Sequence, residues 1–279
     1  MGKKFYVNYE NTPFLTTSKT SPQLNRLNWR CEILLTRNKE AIEGKRILDL
    51  ASHDGRFSYG CLKLGARHII GVEGRHHLVK FANENLAHLG FSPQNFSFVE
   101  DDVFNYLPKV KPKTFDTVLC FGFFYHTIRQ IELLREIFRI QPKYFILDTF
   151  IITYDLAKEN NIKRLFKWLG LIRKIKIRHV TQLESTFKKV KNTLSLPPVK
   201  EIESRPCLVF GREDPAIEGA TIDVTGLFAL PSRSFIELFL KIYGFCYKRL
   251  LWDREEIKDW TGIEDYRNRE RISYIASLF

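Results

Sequence analysis

The chain has 279 residues, 44% of them hydrophobic, which suits one large domain with an embellishment, or one domain plus a small cap. Five scattered cysteines (Cys31, Cys61, Cys120, Cys207, Cys246) with no CxxC pair, and no run of about 18 apolar residues, point to a soluble cytoplasmic protein with reduced thiols and no transmembrane segment. The net charge of +12 leaves RNA, an anionic lipid surface or an acidic small-molecule substrate open as partners, and equally a general solubility charge.

Residues 1–43 precede the first clear strand, and 25–36 read as a short amphipathic helix with Leu27, Trp29, Ile33 and Leu34 among its apolar members. From Arg46 the pattern alternates. Strands are expected at 47–50, 68–72, 96–99, 115–121 and 144–150, with helical segments at 57–64, 77–89, 105–107 and 131–140 between them. Strands alternating with helices predict an α/β fold with a doubly wound, mostly parallel sheet. The strands are nearly continuous apolar runs, as expected when both faces of a sheet are covered.

After Phe150 the rhythm breaks. Residues 156–205 are basic, and the acid-free stretch 160–183 suits a lid, an RNA phosphate track, a membrane-surface helix or a solvated basic face. Strand-like pieces follow at 208–211 and 220–224. Pro231-Ser232 caps a strong helix over 235–243 that ends at Gly244, and 245–251 and 272–278 read as two final strands. The expected divisions are an N-terminal helical segment (1–43), a ligand-binding core (44–150), a substrate-recognition insertion (151–230) and the remainder of the core sheet (231–279).

The stretch 46–73, RILDLASHDGRFSYGCLKLGARHIIGVE, carries the most chemistry. A strand bearing Asp49 runs into a small-residue turn ending at Gly55, a helix follows, and a second strand stops at Glu73. In nucleotide-binding α/β folds such a turn lets the backbone approach the ligand, and such an acid grips ribose hydroxyls. Glu73 lies 18 residues after Gly55, close to the spacing of about 20 used there. The plain alternative is an ordinary βαβ unit with an acid at a strand end.

These motifs, in this order, resemble the class I S-adenosylmethionine (SAM)-dependent methyltransferases over about residues 44–150 and 231–279. The resemblance implies a seven-stranded Rossmann-like sheet with an antiparallel last strand, and an insertion after the fifth strand. Asp49 matches the family's first acid, and Ala51-Ser52-His53-Asp54-Gly55 stands where the family carries Gly-x-Gly-x-Gly. His53 is the main departure, because glycine there normally lets the backbone near the ligand. The resemblance gives Glu73 the ribose hydroxyls and Asp102 the adenine amino group, with Val103 packing on the ring. Phe121, at the end of the fourth strand, meets the methionine portion. The run 115–150 is also similar to the bacterial subgroup that modifies tRNA wobble uridine with carboxy-SAM, which makes carboxy-SAM a second cofactor candidate.

Methyl transfer to a hydroxyl needs a base, and to an amine needs mainly desolvation and a proton exit. Tyr125, His126 and Asp148, near the ends of the fourth and fifth strands, are the catalytic candidates, with a capping histidine and a structural ion pair as their plain alternatives. Arg205, Arg212 and Arg233 are expected to clamp a substrate carboxylate. His76-His77 lacks completing ligands, so no metal is expected. The expected activity is methyl transfer to oxygen or nitrogen of a small or medium-sized metabolite, an acidic one among the candidates. An RNA-modifying methyl- or carboxymethyltransferase and a non-catalytic SAM-binding partner subunit are the alternatives.

Overall fold

A computed structural model describes residues 3–153 and 205–278. The basic stretch 160–183 lies outside them. Nine strands are described: β1 (Arg46–Leu50), β2 (His68–Glu73), β3 (Phe96–Glu100), β4 (Thr117–Phe121), β5 (Tyr144–Phe150), β6 (Leu208–Arg212), β7 (Leu227–Pro231), β8 (Cys246–Leu250) and β9 (Arg271–Ser277). Seven form one sheet in the order β3-β2-β1-β4-β5-β9-β8. The first five are parallel, and β9 runs antiparallel to both β5 and β8. The expected doubly wound seven-stranded sheet is therefore present. Strand order reverses between β1 and β4, and a crevice opens at the carboxyl ends of the strands there.

The strands are continuously apolar because successive side chains feed two cores. Ile47 and Leu119 face one, packed with Leu27, Ile33 and Cys61; Leu48 and Val118 face the other, with Leu133, Ile137 and Ile236. Each such buried side chain contributes about 1.5–3 kcal/mol. The α-helices among the described residues are α1 (Leu24–Leu34), α2 (Arg56–Lys63), α3 (His76–His88), α4 (Val103–Tyr106), α5 (Gln130–Ile140), α6 (Arg233–Ile242) and α7 (Glu264–Arg267). Leu133, Leu134, Ile137 and Ile140 recur at helical spacing and bury one face of α5. Ser232 caps α6 by accepting from the Phe235 N–H at 3.1 Å.

Two elements differ from expectation. The strand expected at 220–224 is instead part of a loop. Asp223 accepts from the Thr225 and Gly226 N–H groups, closing a turn, and the chain extends only afterwards, as β7. β6 and β7 thus form a hairpin with residues 213–226 at its tip. Helix α1 occupies the expected span but is not simply amphipathic: Arg26, Asn28 and Arg30 are buried along with its apolar residues. Its polar side meets three places: Asn28 accepts from the Tyr9 N–H, Arg26 pairs with Asp265, and Arg30 pairs with Asp148 on β5. Among the described residues no helix is long and apolar enough to cross a membrane.

Candidate active site

A cavity of about 520 Å³ lies over the carboxyl ends of β1, β2 and β4. Its floor begins at the turn after β1. Ala51, His53 and Gly55 take φ values of 53°, 56° and 81°. Three alternate positions thus adopt the left-handed backbone, at two of which a side chain accepts strain that glycine avoids. The backbone path of a glycine-rich turn is kept although only its last glycine remains. Gly55 itself is set back from the cavity; a Cβ there would meet Phe98 Cζ at 3.1 Å and Ala82 Cβ at 3.2 Å.

Glu73 ends β2 against this turn. The His53 N–H donates to its Oε2 at 3.1 Å and the Arg75 N–H to its Oε1 at 3.0 Å. The carboxylate is buried and fixed, and each oxygen keeps a further lone pair for a ligand hydroxyl. Asp49 lies at the centre, with Ser58 Oγ donating to its Oδ2 at 2.7 Å. Burial pushes its carboxyl up to about 7; the Ser58 hydrogen bond opposes this and the Glu73 charge adds to it. A bound cation would draw that proton off.

Asp102 and Val103 line the cavity at the amino end of α4, where the Phe104 N–H donates to Asp102 Oδ1 at 2.7 Å. Asp101, beside it, pairs with Lys109 Nζ at 3.0 Å. Phe121 closes the floor, edge-on to Phe57 with ring centroids 5.0 Å apart. Among the residues expected to hold the cofactor, Asp49, Ala51, His53, Glu73, Asp102, Val103 and Phe121 all reach the wall; Gly55 acts through the turn.

The expected catalytic residues divide. Tyr125 and His126 reach the cavity after β4, their rings 4.0 Å apart. His126 Nδ1 lies 2.7 Å from Glu213 Oε1, and the same oxygen accepts from the Thr221 N–H at 2.6 Å. Burial pushes the Tyr125 phenol up, against the Arg271 charge, so it stays protonated. Asp148 does not reach the cavity. It is fully buried, and accepts from Arg30 Nη2 (2.7 Å), Arg271 Nη1 (2.9 Å), Ser273 Oγ (2.8 Å) and the Tyr266 hydroxyl (3.0 Å). Burial opposes its ionisation, but Arg271 and Arg30 outweigh it and hold the carboxyl below its usual range. Asp148 is therefore an ion-pair centre and has no lone pair left to serve as a base.

The expected substrate arginines are corrected too. Arg205, Arg212 and Arg233 do not line the cavity. Arg212 Nε donates to the Thr225 carbonyl within the hairpin, and Arg233 pairs with Glu237 along α6. Among the described residues, the arginines at the wall are Arg26 and Arg30 from α1, Arg56, Arg75, Arg129 and Arg271.

The far wall combines two chain segments. Glu218, from the hairpin tip, accepts from Ser18 Oγ, from the Lys19 N–H at 3.0 Å, and faces His77 Nε2 at 3.5 Å. His53 Nε2 lies 3.3 Å from the Ser18 hydroxyl, so its imidazole ties this wall to the turn. Arg75 Nη2 donates to the Ala220 carbonyl at 2.9 Å. His76 is apart, on Glu100 at 2.6 Å. Glu213, Glu218, Arg30 and Arg271 escape sequence reasoning, because their partners are far away in the chain. The only sequence signal is Arg26 and Arg30, one helical turn apart among apolar neighbours.

The sheet order, left-handed turn and strand-end acid are those of a nucleotide-binding α/β fold. A family model described as "Methyltransferase domain" matches residues 42–196. The chain belongs to this family, the class I SAM-dependent methyltransferases, whose methyl donor is SAM. A curated relative from Methanocaldococcus jannaschii, provisionally named as a protein N5-glutamine methyltransferase, is 31% identical over 105 residues. That match takes in 33% of this chain and 52% of the relative, so the chain spans about half the relative's length. The N-terminal domain of EvdMO1 with S-adenosylhomocysteine (SAH) bound is similar in structure, with TM-score 0.55 and 17% identity, covering 88% of this chain and 79% of that one. The magnesium protoporphyrin IX methyltransferase of Synechocystis, with SAH bound, has TM-score 0.50 and 13% identity, covering 91% and 83%. These two share the fold.

Proposed function

We propose that the chain transfers a methyl group to an oxygen or nitrogen of a small or medium, acidic metabolite. The observation that carries this reading is the Glu213-held imidazole of His126 at the wall of a cavity that also contains Glu73. The two ends flank β1, so donor and acceptor occupy adjacent halves of one crevice.

When bound, SAM supplies an activated methyl group on a sulfonium, so the protein's task is alignment and proton handling. Glu73 would hold the ribose hydroxyls through its two free lone pairs. Asp102 and Val103 would take the adenine, and Asp49 the positive charge of the methionine end. His126, with Nδ1 fixed on Glu213, presents Nε2 to accept a proton from the acceptor's oxygen or nitrogen. Tyr125 stays protonated and is a hydrogen-bond donor beside it. The wall made by residues 19–21, Glu213 and residues 217–223 serves as the lid that keeps water from this chemistry.

The test is calorimetric titration with SAM and SAH, followed by incubation of the full chain with labelled SAM and separated metabolite, RNA and protein fractions. SAH binding and label in an acidic metabolite are expected. Label confined to RNA would replace the acceptor with a nucleic acid, and label confined to protein would align the chain with its archaeal relative. Binding without transfer to any fraction would make the chain a SAM-binding partner subunit.

A further inference from the structure

Three guanidinium groups line the His126 end of the cavity. Arg26 and Arg30 come from α1 and Arg271 opens β9; their side chains are 5%, 8% and 4% exposed. Behind them stand Asp265 and Asp148, neither of which reaches the cavity. Arg26 is matched through both of its Nη atoms, to both oxygens of Asp265 at 2.8 Å and to the Gly262 carbonyl at 2.7 Å, and only its Nε is buried without a partner. Arg271 is matched as well, to Asp265, Asp148 and the Tyr125 hydroxyl.

Arg30 is different. Among the described residues its one polar partner is Asp148, reached by Nη2 at 2.7 Å, and its Nε is buried without a partner. The Phe57 ring, 4.6 Å from the guanidinium carbon, holds its position. A guanidinium carries five N–H donors. Leaving the Nε donor unmatched in a buried place is unfavourable, and an arriving oxyanion could take up the donors that Asp148 does not use. Glu213, the further carboxylate at this end, is already engaged by His126 and the Thr221 N–H.

Position assigns the ligand. Arg30 and Arg271 share Asp148 Oδ2, Arg271 reaches Tyr125, and the Tyr125 ring centroid lies 4.0 Å from that of His126. Arg30 thus belongs to the acceptor half of the crevice, away from Glu73.

We propose that Arg30 binds a carboxylate of the methyl acceptor, making an anionic small molecule the substrate class; this rests on the methyltransferase reading above. The sequence-based clamp of Arg205, Arg212 and Arg233 is replaced by one guanidinium on α1.

The test uses the full chain saturated with SAH and two probes of one shape, benzoate and its neutral counterpart benzamide, read by calorimetry. Aromatic probes suit Phe57, Phe121 and Tyr125 on the wall. Benzoate is expected to bind at least about tenfold more tightly than benzamide, the effect of one charged contact. Arg30→Met should abolish that preference and leave SAH affinity within about twofold. Arg30→Lys keeps a charge beside Asp148 but loses the planar fork, and should weaken benzoate by about fivefold or more. It decides the matter if the methionine variant does not fold. Equal binding of the two probes to the wild-type chain overturns the proposal, as does a variant that keeps the preference. Loss of SAH affinity with benzoate binding intact also overturns it, by assigning Arg30 to the methionine carboxylate. If SAH does not bind the wild-type chain, the methyltransferase reading fails, and benzoate against the SAH-free chain still decides the anion site.

Discussion

His126 Nδ1 lies 2.7 Å from Glu213 Oε1, although 87 residues separate them in the chain. A side chain after β4 is thereby oriented by the tip of a hairpin from the insertion. His126→Gln is expected to lower the methyl-transfer rate by about 10²–10⁴-fold, the usual weight of a general base, with SAH affinity kept. Glu213→Gln keeps an acceptor for the Thr221 N–H but loses the carboxylate, and should lower the rate by about tenfold. Steady-state assays with labelled SAM and calorimetry with SAH check both. A parallel loss of SAH affinity would reassign the pair to the cofactor.

Removing Glu73 should be felt in cofactor binding. Glu73→Ala is expected to weaken SAH binding by about 1–3 kcal/mol, the range for hydrogen bonds to a charged group. Glu73→Gln keeps one oxygen and should cost less. Calorimetry measures both, and unchanged affinity would remove the ribose assignment.

Asp148→Ala would leave Arg30 and Arg271 facing each other in a buried place without their shared carboxylate. A loss of about 3–5 kcal/mol in urea unfolding is expected, the cost of breaking a buried pair from one side. The same contacts set the acid limit. Burial opposes ionisation of Asp148 and Asp265, but their arginines win and hold both carboxyls low. A lowered carboxyl contributes stability above its unfolded value, so this contribution is complete at neutral pH and is lost as pH falls below about 4. Unfolding midpoints between neutral and acid pH follow it.

Asp49 has the opposite sign. Burial raises its carboxyl to about 7, so its contribution is complete below its unfolded value of about 4 and declines as pH rises towards 7. Asp49→Asn should remove this part of the pH dependence. Comparing urea midpoints of both chains at mildly acid and mildly alkaline pH shows whether the slope is reduced.

The turn after β1 offers a stabilising change. Ala51 has φ 53° and its side chain carries no hydrogen bond. Ala51→Gly should raise stability by about 1 kcal/mol, the left-handed penalty of a Cβ, and urea unfolding reads it directly. His53→Gly is not equivalent, because the imidazole contacts Ser18.

Much of the core was legible from local pattern. The strands expected at 47–50, 68–72, 96–99, 115–121 and 144–150 follow from apolar runs broken by turns, the fourth beginning at Thr117 in the structure, and α5 follows from its 3.6-residue spacing. Asp49, Glu73 and Asp102 could be placed because each stands at the end of a strand, where this topology puts ligands. Residues 220–224 misled because β-branched residues there mimic a strand, while the turn closed by Asp223 within them decides the path. Asp148 misled for another reason. An acid ending an apolar strand demands a partner, and sequence does not say whether that partner is a substrate or an arginine.

The sequence by itself determined the alternation of strands and helices, the acids at the strand ends and the loss of two glycines from the first turn. These are local properties, set by periodicity and by what each residue permits its own backbone. Tertiary structure decided which charges meet. Arg30, Arg271 and Asp148 come from α1, β9 and β5, His126 follows β4, and Glu213 stands at the hairpin tip between β6 and β7. Their roles depend on distance and burial, because a charge in a low-dielectric place is defined by its partners, and folding alone brings those partners together.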